Sequence, residues 1–361
     1  MSRRRGAPST GPRRLFRSPE SEVTMNGVDR FLRVLNGQPA DRAPVVGVTS
    51  VVTVDLMRQM GSRWPDAHHD PEQMARAGAA AHVLCGLESV KVPFDMAVEA
   101  GALGADIDYG GEATLPKIRA PRFEDPEEFA FGDDVLVKGR YPVVLEAIRI
   151  ARGRYGEAAP VISSMLGPFT LCGCLFGVET LLIWMIEEPE KVRAAMATAT
   201  RLVSLYIRGQ FGAGAHVVQM AEPTASGDLI SPGQYLEHVA PHHRELAAAT
   251  DLPLITHICG NITRHLPHLA SVGFRGVSFD AKTDIHAARS HLKGKAALIG
   301  YVPTYLLRDG SPEEVGAAAR QCLKEGVDAL NAGCAVAPDT PLNNIRAMIA
   351  AAQERSTNEI A

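Results

Sequence analysis

The stretch Leu254-Ile255-Thr256-His257-Ile258-Cys259-Gly260, preceded by Pro253, is the segment from which the rest of the chain can be read. A short apolar run between a proline and a glycine is the pattern of a buried strand. Successive strand side chains alternate between faces, so His257 and Cys259 point the same way. The run thus predicts a strand whose C-terminal end offers an imidazole and a thiol to one point. Both are donor types that Zn²⁺ takes. A core cysteine beside a hydrogen-bonded histidine is the other use of the same pair.

Two later positions extend the argument. Gly276-Val277-Ser278-Phe279-Asp280 is a second short strand-like run, with a carboxylate at its C-terminal end. Val327-Asp328-Ala329-Leu330-Asn331 leads into Gly333-Cys334, which puts another thiol just past a strand. If these strands are parallel neighbours, His257, Cys259 and Cys334 form a three-ligand zinc set, with Asp280 as a displaceable fourth ligand.

The same kind of run recurs along the chain, at residues 44–48, 89–92, 160–165, 215–221, 254–260, 276–280, 296–300 and 327–331. Most alternate with helical patterns, among them 26–35, 51–61, 72–84, 143–155, 178–186, 189–211, 232–250, 312–325 and 341–353. Alternating strands and helices imply a parallel sheet with crossover helices. Eight such units predict an α/β fold, a (β/α)8 TIM barrel, as a single domain over residues 25–361. Chemistry in such a barrel sits at the C-terminal strand ends, where the His, Cys and Asp positions fall. Residues 113–135, polar and punctuated by proline, read as an extended excursion over the mouth.

Composition sets the outer limits. With 361 residues, 46% apolar and 22% charged, the chain has ample core for a globular enzyme. Residues 1–24 hold six arginines against Glu20 and Glu22, which leaves 31 basic and 39 acidic side chains in the rest, a net −8. A mildly acidic body argues against nucleic acid or an anionic membrane as the main partner. The first 24 residues, nearly free of apolar side chains, read as a disordered basic tail or a misassigned start before Met25. With no run of 18 apolar residues and no secretory pattern, a cytoplasmic location is expected. Its six cysteines are then reduced thiols or ligands.

Other polar residues are read more plainly. Asp95 and Glu99 follow the second strand, and Glu222 and Asp228 the fourth, so all can reach the mouth. Asp95 and Glu222 are the candidate catalytic carboxylates, with loop bracing and helix capping as the competing uses. His68 and His69 suit a loop or capping role, His242 and His243 a helix surface. Cys172 and Cys174, which diverge on a helix, suit packing.

Several segments also carry a resemblance. Gly333-Cys334-Ala335-Val336-Ala337-Pro338-Asp339-Thr340-Pro341 resembles the C-terminal signature of the uroporphyrinogen decarboxylase superfamily, and Gly167-Pro168-Phe169-Thr170-Leu171 resembles its third-strand motif. Pro93-Phe94-Asp95, Glu222-Pro223-Thr224-Ala225-Ser226-Gly227-Asp228 and His257-Ile258-Cys259-Gly260 are similar to its methylcobamide:coenzyme M methyltransferase branch. The likeness covers nearly the whole chain from Met25. It implies zinc at His257, Cys259 and Cys334, a methylcobamide (corrinoid) on a partner corrinoid protein as co-substrate, and a thiol such as coenzyme M as methyl acceptor. Two alternatives stay open: transfer from a methoxylated compound to a corrinoid protein, and a metal-free decarboxylase-like enzyme. One departure stands out. Tyr301-Val302-Pro303-Thr304-Tyr305 replaces the branch's usual Asn-Val-Asp sequence after the seventh strand, in a loop expected beside the metal.

Overall fold

The computed structural model describes residues 25–354; the N-terminal tail of residues 1–24 lies outside them. Seven parallel strands form one curled sheet in the order β1 (Val90–Val92), β4 (Val161–Leu166), β5 (Val217–Ala221), β6 (Leu254–Ile258), β7 (Gly276–Phe279), β8 (Ala297–Val302) and β9 (Ala329–Ala332). Between β1 and β4 an antiparallel pair, β2 (Ile107–Asp108) and β3 (Lys117–Ile118), opens the predicted excursion.

The expected first strand is the main difference. Residues 44–48 make a single parallel bridge, Val45 to Leu330. The Val46 amide donates to Leu330 O at 2.9 Å, and Val45 O accepts from the Glu88 amide just before β1. The next two amides turn to side chains, Gly47 N to Ser89 Oγ at 2.8 Å and Val48 N to Asn331 Oδ1 at 3.1 Å. With the Gly47 and Val48 amides spent on side chains, the segment builds no ladder beyond that one bridge.

Helices agree closely where caps are strong. Asp70 caps Pro71–Cys85, accepting the Glu72 and Gln73 amides, and Ser311 with Glu314 closes a capping box on Pro312–Glu325. The predicted helix 232–250 is broken instead. A π-helical turn at Tyr235–Val239 separates Pro232–Gln234 from Ala240–Ala248.

Inside the curl lies an apolar plug of Val46, Val48, Ile162, Val217, Ile255, Ala297, Ile299 and Ala329. Helix Gly27–Leu35 seals it from the N-terminal end with Phe31 and Leu35. Arg30 of that helix, itself buried, anchors the seal by pairing with Asp41 at 2.6 Å and with Glu88. The plug fixes which way each strand faces. Paired residues on neighbouring strands share a face, and so do residues two apart. Lys91 pairs with Ile162, Ser164 with Gln219, and Ala221 with His257, so Lys91, Ser164, Gln219 and His257 all point inward at or above the plug.

Candidate metal centre

Just above the plug, His257 is the next-to-last residue of β6, Cys259 follows it by two residues, and Cys334 stands two residues past β9. The chain can turn away at once after Cys259 because Gly260 takes φ +76°. A Cβ there would also meet Asp228 and Ser226 at 2.4 Å. Past β9, Thr49 Oγ1 donates to Cys334 O at 3.0 Å and fixes the backbone that carries the second thiol.

The three side chains meet. One ligand atom from each of His257, Cys259 and Cys334 lies within 4.8 Å of the other two. His257 Nε2 is 3.1 Å from Cys259 Sγ, and the two sulfurs are 3.3 Å apart. On the other side of the ring, His257 Nδ1 is hydrogen-bonded to Ser278 Oγ at 3.0 Å. With Nδ1–H donating to that hydroxyl, Nε2 keeps its lone pair for the cluster. The Cys259 S–H beside Cys334, aided by His257, holds the Cys334 thiol well below its ordinary range. That same contact, burial and the charge of Asp280 push Cys259 up. Two sulfurs and an imidazole nitrogen, one sulfur already inclined to ionise, fit a borderline-soft cation such as Zn²⁺.

Asp280 stands apart from this trio. β7 ends at Phe279, and the chain turns so that Thr283 N donates to Asp280 O. Asp280 Oδ1 accepts the Lys282 amide at 3.0 Å, so the expected fourth ligand caps its own turn, while its charge acts on Cys259.

The two candidate catalytic carboxylates are also engaged elsewhere. Asp95 has a fully buried side chain: Arg140 grips both oxygens at 3.0 and 2.5 Å, His68 Nδ1 lies 3.1 Å from Oδ2, and the Ala97 amide donates to Oδ1. Burial alone would raise this carboxyl, yet Arg140 and His68 hold it well below the usual carboxylate range. It is a permanent anion in an ion pair, unsuited to pass a proton. Glu222 is buried too. Its oxygens accept the Phe169 and Thr170 amides at 3.1 and 2.8 Å, at the N-terminus of helix Pro168–Phe176, and His243 Nε2 lies 3.0 Å away. Gly167 is required there, because a Cβ would lie 2.2 Å from the Glu222 carboxylate. Burial likewise pushes Glu99 up to about 7, where its Oε1 accepts the Leu166 amide, while Asp228 is exposed beside Lys282.

Two histidines differ from expectation. His68 stacks on Trp64 and pairs with Asp95, and His243 links Tyr235 to Glu222, both fully buried. Cys172 packs in the core as expected. Tyr301 turns outward, its hydroxyl bonded to Glu325 on helix Pro312–Glu325, so residues 301–305 line no part of the metal-site cavity.

A cavity of 90 Å³ opens on the trio. His257, Cys259 and Cys334 line one side and Lys91, Ser164 and Gln219 the other. Its volume is well under the roughly 300–1,000 Å³ of pockets that bury drug-sized ligands, and it suits a molecule of a few heavy atoms. Lys91 was not singled out from sequence; a lysine in a three-residue strand looks solvent-facing until register turns it inward.

A parallel α/β sheet with an imidazole and two thiols converging at its C-terminal strand ends, over a small cavity, defines an enzyme-like scaffold with a transition-metal donor set. Comparison with known proteins gives the lineage. The chain belongs to the uroporphyrinogen decarboxylase (URO-D) family, whose profile matches residues 26–355. It is 34% identical to the methylcobamide:CoM methyltransferase MtaA of Methanosarcina barkeri over 92% of this chain and 99% of that protein. Its fold superposes on a solved methyltransferase from Methanosarcina mazei with a TM-score of 0.88, at 35% identity, covering 91% of this chain and 98% of the other. A uroporphyrinogen decarboxylase from Anaeromyxobacter dehalogenans is 27% identical over 89% of this chain and 96% of its own. The resemblance to the methyltransferase branch is thereby borne out. Among the described residues no single helix is long and apolar enough to cross a membrane.

Proposed function

We propose that this chain is a zinc-dependent methyltransferase, moving a methyl group from a methylcobamide on a corrinoid protein to a small thiol such as coenzyme M. The observation that carries the reading is the convergence of His257, Cys259 and Cys334 on one point facing a small cavity. The printed activity of the MtaA relative, a methylcobamide:CoM methyltransferase, points the same way. Residues 44–48, bridged to β9 and bonded to Glu88, are read as an eighth stave that completes a (β/α)8 barrel.

Held by His257 Nε2, Cys259 Sγ and Cys334 Sγ, a zinc ion would lower the pKa of a coordinated substrate thiol and so supply a thiolate near neutral pH. Three protein ligands leave the fourth position to the substrate. The remaining chemistry belongs to the chain. Ser278 orients the His257 ring, the apolar plug keeps water from entering below, and the cavity sets the sulfur toward the mouth, where the methyl donor must approach. No carboxylate is assigned a proton-transfer role, since Asp95 and Glu222 are consumed by their partners. Free thiols throughout fit a reducing cytoplasmic setting. Because residues 301–305 stay out of the cavity, their altered sequence gives no support to transfer from a methoxylated compound.

The test is elemental analysis of reduced protein beside His257→Ala and Cys259→Ser, followed by methyl transfer from methylcobalamin to 2-mercaptoethanesulfonate. About one zinc per chain, lost in both variants together with transfer, is expected. A reduced wild-type protein without zinc, or variants that keep it and turn over normally, would overturn the reading.

A further inference from the structure

The two thiols of the trio also face each other. Their sulfurs stand 3.3 Å apart, and among the described residues no other pair of cysteines comes within hydrogen-bond reach. Cys172 and Cys322 are buried in the core, and Cys85 and Cys174 sit on helices Pro71–Cys85 and Pro168–Phe176. The close pair is held from both sides: Gly260 turns the chain directly after Cys259, and Thr49 Oγ1 fixes the carbonyl of Cys334. It joins segments 75 residues apart, at the ends of β6 and β9, which the sheet separates by β7 and β8. Cys259 and Cys334 both line the cavity, and neither is fully buried, so a small oxidant can reach them. Redox-responsive cysteines are accessible and sit beside a resolving thiol, and this pair meets both conditions. A disulfide needs about 2.05 Å between sulfurs, roughly 1.2 Å less than the pair shows.

We propose that Cys259 and Cys334 form a reversible oxidation site, at which hydrogen peroxide joins them in a disulfide and empties the metal centre. The disulfide follows from the thiol geometry alone, whereas the release of metal rests on the zinc reading. Written for the free thiols, one sulfur attacks a peroxide oxygen: an S–O bond forms, the O–O bond breaks, and the departing hydroxide takes the thiol proton and leaves as water. The second sulfur then attacks the sulfenic acid so made. The S–S bond forms, the S–O bond breaks, and a second water carries off the remaining thiol proton. In sum two thiols and one peroxide give a disulfide and two waters, the sulfurs oxidised and the peroxide oxygens reduced. Where the sulfurs start as zinc-bound thiolates, the two protons come from solvent instead. His257 is afterwards the one donor left of three, too few for a stable zinc site. In a reducing compartment a thiol reductant returns both sulfurs, so the bond acts as a transient inactivation and not as a structural staple.

The test is a titration of the reduced, zinc-loaded full chain with hydrogen peroxide, following free thiols, intact mass, cross-linked peptides and zinc released to a chromophoric chelator. The expected result is the loss of two of the six thiols, a mass lower by two hydrogens, and a single cross-link between the peptides that carry Cys259 and Cys334. Zinc should leave in step with the cross-link, about one ion per chain. Dithiothreitol with added zinc should restore thiols and metal together. Cys174→Ser, outside the trio, should behave as wild type. Cys259→Ser should form no such cross-link and should stop at a sulfenic acid on Cys334, which dimedone traps. A wild-type chain that forms its cross-link elsewhere or not at all, that passes to sulfinic acid and resists dithiothreitol, or that keeps its zinc once the cross-link is complete overturns the proposal. The Cys259–Cys334 cross-link formed by a chain that never takes up zinc keeps the oxidation site and removes the zinc reading.

Discussion

Two polar clusters flank the same mouth and are built on opposite plans. On the β6 and β9 side, three donors face one another with lone pairs to spare: the sulfurs are 3.3 Å apart, and only the far side of the imidazole is tied down, to Ser278. On the β1 and β5 side, Asp95 and Glu222 have every oxygen occupied by Arg140, His68, helix-start amides or His243. Burial and ionisation are common to both, so neither marks a site. What separates a site from a brace is whether the buried atoms have bonding capacity left once the fold has taken its share.

Cys334→Ser strikes the open cluster directly and should have the largest effect. Metal content and methyl transfer fall together to background, with the circular dichroism spectrum unchanged. Asp95→Asn strikes the closed cluster, leaving Arg140 buried without its partner. The expected loss is roughly 3–5 kcal/mol in denaturant unfolding, with zinc content preserved in the folded fraction. The same carboxylate gives a pH signature. Its folded pKa lies below the unfolded value near ~3.9, so its contribution is full above that value and is lost as pH falls further. Ser278→Ala should act through the His257 ring alone, lowering metal affinity about 10- to 100-fold in competition with a chromophoric chelator. Asp280→Asn should move that affinity by less than about fivefold. A loss as deep as that of Cys334→Ser would instead make Asp280 a ligand and redraw the comparison.

The open cluster was legible in sequence because its information is local. His257 and Cys259 are two apart on one strand, and Cys334 follows another strand by a short step, so period-two alternation and strand-end placement suffice. The closed clusters were not legible, because their decisive partners are distant: Arg140 lies 45 residues from Asp95, and His243 lies 21 from Glu222. His68 and His243 read as loop and surface for the same reason. Lys91 was hidden by register, since a slip of one residue would turn it outward. Residues 44–48 read as a strand by composition, but the hydrogen bonds that divert Gly47 and Val48 come from Ser89 and Asn331, which no local pattern reveals.

The plug sealed by Phe31 and Leu35 makes the cavity a blind alley. Whatever enters must do so from the strand C-termini, and whatever leaves must return the same way. A bulky methyl donor seated across that single doorway would trap anything already inside and bar anything still outside. On the proposed function, such a doorway would impose an order of arrival: the small acceptor first, the large donor second, and the methylated product released only after the doorway clears.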